Sequence, residues 1–114
     1  MKNRLTSDKL RLDHILKAIY SIEEFVEGVS KEEFENNRKI QSAVLYQFII
    51  IGDAISSLSL ATTEAYQYSW YKPRAFRNFL AHEYFGIKMS MVWNAIIYDL
   101  PELKTIIKTI IIDL

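Results

Sequence analysis

The 114 residues include no cysteine. That excludes a disulfide framework, a thiolate nucleophile and a cysteine-ligated metal. Glycine occurs three times and proline twice, too rarely for a turn-rich β protein, so long uninterrupted elements are expected. His14 and His82 are the only histidines and lie far apart in the chain. No His/Asp/Glu spacing matches a metal site and no glycine-rich phosphate loop is present, so neither a metal nor a cofactor is expected. Net charge is missing as well, because 14 basic and 14 acidic side chains cancel. A wholesale nucleic-acid coat is thereby excluded. Long hydrophobic runs are also lacking. The most apolar window, residues 44–61, is interrupted by Gln47, Asp53 and several serines, and reads as a buried helix, not a membrane span. Lys2 and Arg4 precede no apolar segment, so no signal peptide is expected. The expected location is cytoplasmic, without a membrane partner.

What is present fits one domain over residues 1–114. Half the residues are hydrophobic and a quarter charged, as in a water-soluble globule. The charges are unevenly spread. Residues 1–17 carry five basic and two acidic groups, residues 18–37 one and six, and residues 68–88 four and one. Any anion-binding surface is therefore local and should include the last stretch.

The apolar spacing is helical throughout. Residues 1–6 read as a lead-in, with Ser7 or Asp8 capping a first helix. Leu12, Ile15, Leu16, Ile19, Ile22 and Val26 form its buried stripe, His14 lies at the polar edge, and Gly28 ends it. Ser30 with Glu33 fits a capping box, so a short second helix should run through about residue 35. A long third helix should start near Arg38, with Ile40, Ala43, Val44, Phe48, Ile51, Ala54, Ile55 and Leu58 buried. Gly52 inside it costs about 1 kcal/mol against alanine and suits close helix packing. Asp53 is the only acid between Glu35 and Glu64. It reads either as a residue of the solvated edge or as a partner for an arginine or histidine. Residues 60–69 form a connector, and Ser69 caps a fourth helix with Pro73 in its first turn. A fifth helix starts near Met89 and buries Val92, Trp93, Ile96, Ile97 and Leu100. Asp99 and Pro101 predict a kink or break. The last helix carries a wide stripe from Leu103 to Leu114, part of it free to meet another subunit. The sum is an all-α antiparallel bundle of four to five main helices.

The chemistry concentrates in residues 74–84. On a helix, Arg74, Arg77, Asn78 and His82 share one side around Ala81. Ala75, Phe76, Phe79 and Leu80 take the other. The helix should end near His82, with Gly86 as punctuation. Arg77 and His82 stand roughly 140° apart on a straight helix, so one chain does not readily close a site between them. A histidine, arginines and an amide suffice for metal-independent cleavage of RNA. The substrate's 2′-OH is the nucleophile, histidine moves protons near neutral pH, and arginine meets charge building on the phosphoryl oxygens. Lys72 adds a further cation for substrate. An Arg-x4-His spacing also arises on solvated helix faces that do no chemistry, and His14 alone reads as structural.

The stretch Arg77-Asn-Phe-Leu-Ala-His82-Glu-Tyr84-Phe-Gly-Ile87 resembles the R-x4-H-x-Y signature of HepT-like toxins of the HEPN superfamily, from type VII toxin–antitoxin pairs. The resemblance covers nearly the whole chain. Leu12-Asp-His-Ile-Leu-Lys-Ala-Ile19 with Ile22-Glu-Glu-Phe25 is similar to the family's first helix. Ile50-Ile-Gly-Asp-Ala54 is similar to its long helix, where glutamate usually stands in place of Asp53. Val92-Trp-Asn-Ala-Ile96 and Asp99-Leu-Pro-Glu-Leu103 resemble its C-terminal region. The resemblance implies an all-helical homodimer with ribonuclease activity on tRNA or mRNA. It implies Arg77 and His82 as the catalytic pair, with Asn78 as the polar helper. It implies a partner antitoxin of minimal nucleotidyltransferase (MNT) type that uses ATP to attach AMP to Tyr84. The competing expectation is a catalytically inactive helical module that binds such a nucleotidyltransferase.

Overall fold

The computed structural model describes the backbone of residues 2–83 and 85–114, and side chains from residue 7 onward. All regular structure among them is helical. Helix α1 (Lys2–Val26) is followed by α2 (Lys31–Glu35), α3 (Arg38–Ser56), α4 (Leu60–Ala65) and α5 (Tyr71–His82). Then come α6 (Met89–Asn94), a π-helical turn (Ala95–Asp99) and α7 (Leu100–Asp113).

Local chemistry explains most boundaries. Gly28, the only described residue with positive φ (73°), turns the chain after α1. Gly86 lies in an ordinary turn instead, its N–H bonded to the Glu83 carbonyl at 3.0 Å. The expected capping box is formed. Ser30 Oγ accepts from the Glu33 N–H at 3.1 Å, and Glu33 Oε1 accepts from the Ser30 N–H at 3.2 Å. Asn37 caps α3 through the Ile40 N–H at 3.0 Å.

Three boundaries differ from the sequence reading. First, α1 begins at Lys2, and Asp8 lies inside it, 1% exposed. Its carboxylate is spent elsewhere. It accepts from the Ser59 N–H at 3.0 Å, from the Ser59 hydroxyl at 2.6 Å and from the Thr62 hydroxyl. Ser59 is the N-cap of α4, so a buried acid from α1 fixes a helix start that the spacing left as connector. Second, Ser69 does not cap α5. Trp70 holds that position without a side-chain cap. Its indole N–H instead donates to the Thr63 and Tyr66 carbonyls at 3.1 and 3.0 Å, which fastens α4 to α5. Third, the chain does not break at Pro101. The Leu100 N–H reaches back to the Ala95 carbonyl, five residues away, and this wider turn takes up the proline. The added residue per turn also rotates the stripe. Ala95, Ile96 and Leu100 are buried while Ile97 is 44% exposed, against the expected burial of Ile97.

The core lies among α1, α3, α5 and α7. Leu12, Ile15, Ile19 and Ile22 of α1 meet Val44, Ile51 and Ile55 of α3 and Ile107 and Ile110 of α7, all nearly inaccessible. Each contributes roughly 1.5–3 kcal/mol by leaving water. Phe34 closes one end against Trp93, with ring centroids 5.4 Å apart. Helix α1 runs antiparallel to α3, since Asp8 meets Ser59 while His14 and Lys17 face Gln47 and Ile50. Helix α5 is also antiparallel to α3, since Arg77 and Pro73 meet Gly52 while Leu80 faces Leu45 and Ile49. Across the bundle, Lys104 of α7 bonds Glu23 of α1 at 3.0 Å and lies 5.0 Å from the Tyr20 ring centre.

Candidate active site on the third and fifth helices

The site is built where α5 crosses α3 at a glycine. A Cβ at position 52 would overlap Arg77 Cβ, lie 2.7 Å from Arg77 Cγ and 2.9 Å from the Pro73 carbonyl oxygen. Only a residue without a side chain admits this approach. The arginine stem is thereby pressed onto α3, and the next α3 residue meets its head. Asp53 Oδ1 lies 2.6 Å from Arg77 Nε. The contact is an ion pair, since Nε itself has no directed hydrogen bond. Both groups are partly solvated, with side-chain exposures of 31% for Arg77 and 57% for Asp53. The pair is therefore worth roughly 0–1 kcal/mol, and its consequence is orientation. Arg77 Nη1 also donates to Asn78 Oδ1 at 3.4 Å. Of the two readings of Asp53, the geometry selects the arginine partner.

The faces of α5 differ in two respects from those read in the sequence. Leu80 is buried and Pro73, Phe76 and Phe79 are half-buried, but Ala75 is exposed, and Arg77 is half-buried with the packed side. Phe76 meets Phe48 edge to face at 5.1 Å. Arg77 thus forms one edge of the polar face, against α3. Beyond it Ala81, Arg74, Asn78 and His82 are all exposed. His82 is the last residue of α5: the Glu83 N–H still bonds the Phe79 carbonyl at 2.8 Å, but the Glu83 backbone (φ −105°, ψ 56°) leaves the helical region. The roughly 140° fan from Arg77 to His82 is preserved by this regular helix.

The remaining expected residues separate. Arg74 Nε donates to the Trp70 carbonyl at 3.3 Å and its head stays on the polar face. Lys72 stands on the other flank of α5. There it rims a small apolar cavity with Tyr68 and Asp99, between Phe48 of α3 and Leu100 and Leu103 of α7. At about 50 Å³ the cavity is too small for a nucleotide. Burial, then Glu102 and Asp99, push the Tyr68 hydroxyl up to about 12. Tyr84 lies outside the described residues. Among those described, no group of three or more His, Cys, Asp or Glu side chains is gathered as for a metal. Nor is any helix long and apolar enough to cross a membrane.

Gly52 and Asp53 were the least legible parts of the site. Their signal was a glycine followed by a lone acid in the middle of an apolar helix.

A model of the family described as "Ribonuclease HepT-like" matches residues 15–110. The chain belongs to this HepT-like family. Three relatives illustrate its range. "Probable ribonuclease HepT" of Thermococcus cleftensis is 32% identical over 99 residues, which is 86% of this chain and 90% of the relative. A "Putative RNase" of Methanocaldococcus jannaschii is 35% identical over 107 residues, 93% of this chain and 92% of the relative. A second protein of that organism, named "Gamma-glutamylcyclotransferase and putative RNase", is 33% identical over 97 residues. This covers 84% of the present chain but only 44% of that longer relative. No solved structure matches the chain.

Proposed function

We propose that the chain is the ribonuclease toxin of a toxin–antitoxin pair, cleaving RNA without a metal ion. One observation carries the reading. In a HepT-like chain, Arg77 is seated on Gly52 and held by Asp53 at the edge of a face that also presents Arg74, Asn78 and His82. An arginine fixed by backbone packing and a carboxylate keeps its remaining N–H donors for a phosphodiester. His82 accepts the proton of the substrate 2′-OH. The 2′-oxygen attacks the adjacent phosphorus, and the P–O5′ bond breaks. The leaving 5′-oxygen takes up a proton, giving a cyclic phosphate and a 5′-hydroxyl. Arg77 meets the charge that gathers on the non-bridging oxygens, and Asn78 adds a polar contact. Arg74 binds the flanking phosphate.

The fan from Arg77 to His82 favours a homodimer in which two motifs face one another about a two-fold axis. Each working cleft then draws residues from both copies. Control is proposed to come from a cognate MNT-type nucleotidyltransferase that transfers AMP from ATP to Tyr84. An adenylyl group two residues from His82 adds bulk and negative charge where RNA must enter. The proposed setting is the cytoplasm.

The test is expression in a host cell. The wild-type chain should arrest growth, and Arg77→Ala or His82→Ala should not, with all three equally soluble. Undiminished toxicity in both variants would sink the catalytic reading in favour of an inactive binding module. Mass spectrometry after incubation with ATP and the antitoxin should find AMP on Tyr84. Suppressed toxicity with Tyr84 unmodified would mean that the partner acts by occlusion.

A further inference from the structure

Helix α3 has a second flank. Opposite α5, its Gln47 and Ile50 face His14, Lys17 and Ser21 of α1 across an open groove of about 320 Å³ with Ala18 at its floor. The three α1 residues stand at i, i+3 and i+7, one face of a helix. Ala18 is 2% exposed, and its small side chain leaves the floor low. Every polar group lining the groove can donate a hydrogen bond: an imidazole, an ammonium, a hydroxyl and an amide. No carboxylate lines it. The nearest acid in sequence, Asp13, is paired with Lys9 at 3.0 Å.

The groove lies close to the candidate active site along α3. Ile50 on its wall is three residues, one helical turn, from Asp53, which holds Arg77. That is about 5 Å along α3. Parts of both basic stretches thus lie along α3, His14 and Lys17 on one flank and Pro73 and Arg77 on the other.

We propose that this groove is a second RNA subsite, in which Lys17 and His14 take a phosphate of a single strand whose scissile bond lies at Arg77. Ser21 and Gln47 contact the neighbouring sugar or phosphate oxygens, and Ile50 supplies an apolar wall for a base. The proposal rests on RNA being the substrate and adds where the strand runs beyond the cut.

The experiment measures binding and cleavage separately. Binding uses fluorescence anisotropy with a fully 2′-O-methylated RNA octamer, which lacks the attacking hydroxyl. The paired exposed substitution Lys17→Ala with His14→Ala should weaken binding about tenfold. The slope of log affinity against log salt should become shallower by about 0.7, as for one lost phosphate contact to a single strand. The kcat/KM advantage of an unmodified octamer over a dinucleotide should shrink by a similar factor. Unchanged affinity and slope would overturn the proposal. So would a change in solution mass on substitution, which would assign the groove to contact between copies. Lys17-dependent binding without any wild-type cleavage would sink the ribonuclease reading and leave the subsite standing. Cleavage with Lys17-independent binding would do the reverse.

Discussion

Two adjacent residues of α3 decide what Arg77 can do. Helix propensity alone says that Gly52→Ala should stabilise α3 by about 1 kcal/mol. Packing says the opposite, because the new methyl meets Arg77 and the Pro73 carbonyl. Neither neighbour has a flexible end to move, so overpacking wins. Urea unfolding of Gly52→Ala should show a net loss of about 1–3 kcal/mol, together with loss of RNA cleavage. Asp53→Asn separates orientation from stability. The ion pair is partly solvated, so unfolding should shift by less than about 1 kcal/mol. The cleavage rate should nonetheless fall, because Arg77 is released. The polar face of α5 was legible in the sequence because helical spacing alone groups Arg74, Asn78 and His82 there. The seat beneath Arg77 was not, because a glycine has no side chain to announce which neighbour it admits.

At the scale of elements, periodicity located every long helix, since one buried stripe is enough to define it. It failed where a distant group decides. The α4 start depends on Asp8, 51 residues before Ser59, and no local pattern signals that. At Asp99 and Pro101, where a kink or break is expected, a π-helical turn leads straight into α7, with Asp99 at its N-cap and Pro101 in its first turn. The π-helical turn helps form the cavity beside Tyr68. The Tyr68 hydroxyl is raised from 10.0 to about 12 by burial, Glu102 and Asp99, so the folded state favours its neutral form. The associated stability is complete below pH 10 and is lost as pH rises from 10 to 12. Denaturant midpoints should fall across that window, and Tyr68→Phe should flatten the fall. An equal fall in the variant would place the alkaline sensitivity elsewhere.

At the scale of the whole molecule, zero net charge conceals a polarity. Antiparallel packing brings Lys17 of the first basic stretch and Arg77 of the second beside the C-terminal half of α3, near Ile50 and Gly52. Composition alone excluded a nucleic-acid coat but left room for a local anion-binding surface, and only the topology says which stretches share it. The second copy that the Arg77–His82 fan calls for is tested by mixing. Equal amounts of Arg77→Ala and His82→Ala chains, each inactive, should recover about a quarter of wild-type cleavage. Half the dimers are then mixed, and each holds one intact composite site. No recovery, with subunit exchange verified, would confine each site to one chain. The central claim is metal-independent cleavage by Arg77 and His82, and the most direct measurement is digestion of RNA by the purified chain in excess chelator. The account predicts undiminished cleavage to cyclic-phosphate ends by the wild type and none by Arg77→Ala or His82→Ala. Cleavage that stops when chelator is added, or that survives both substitutions, would contradict it.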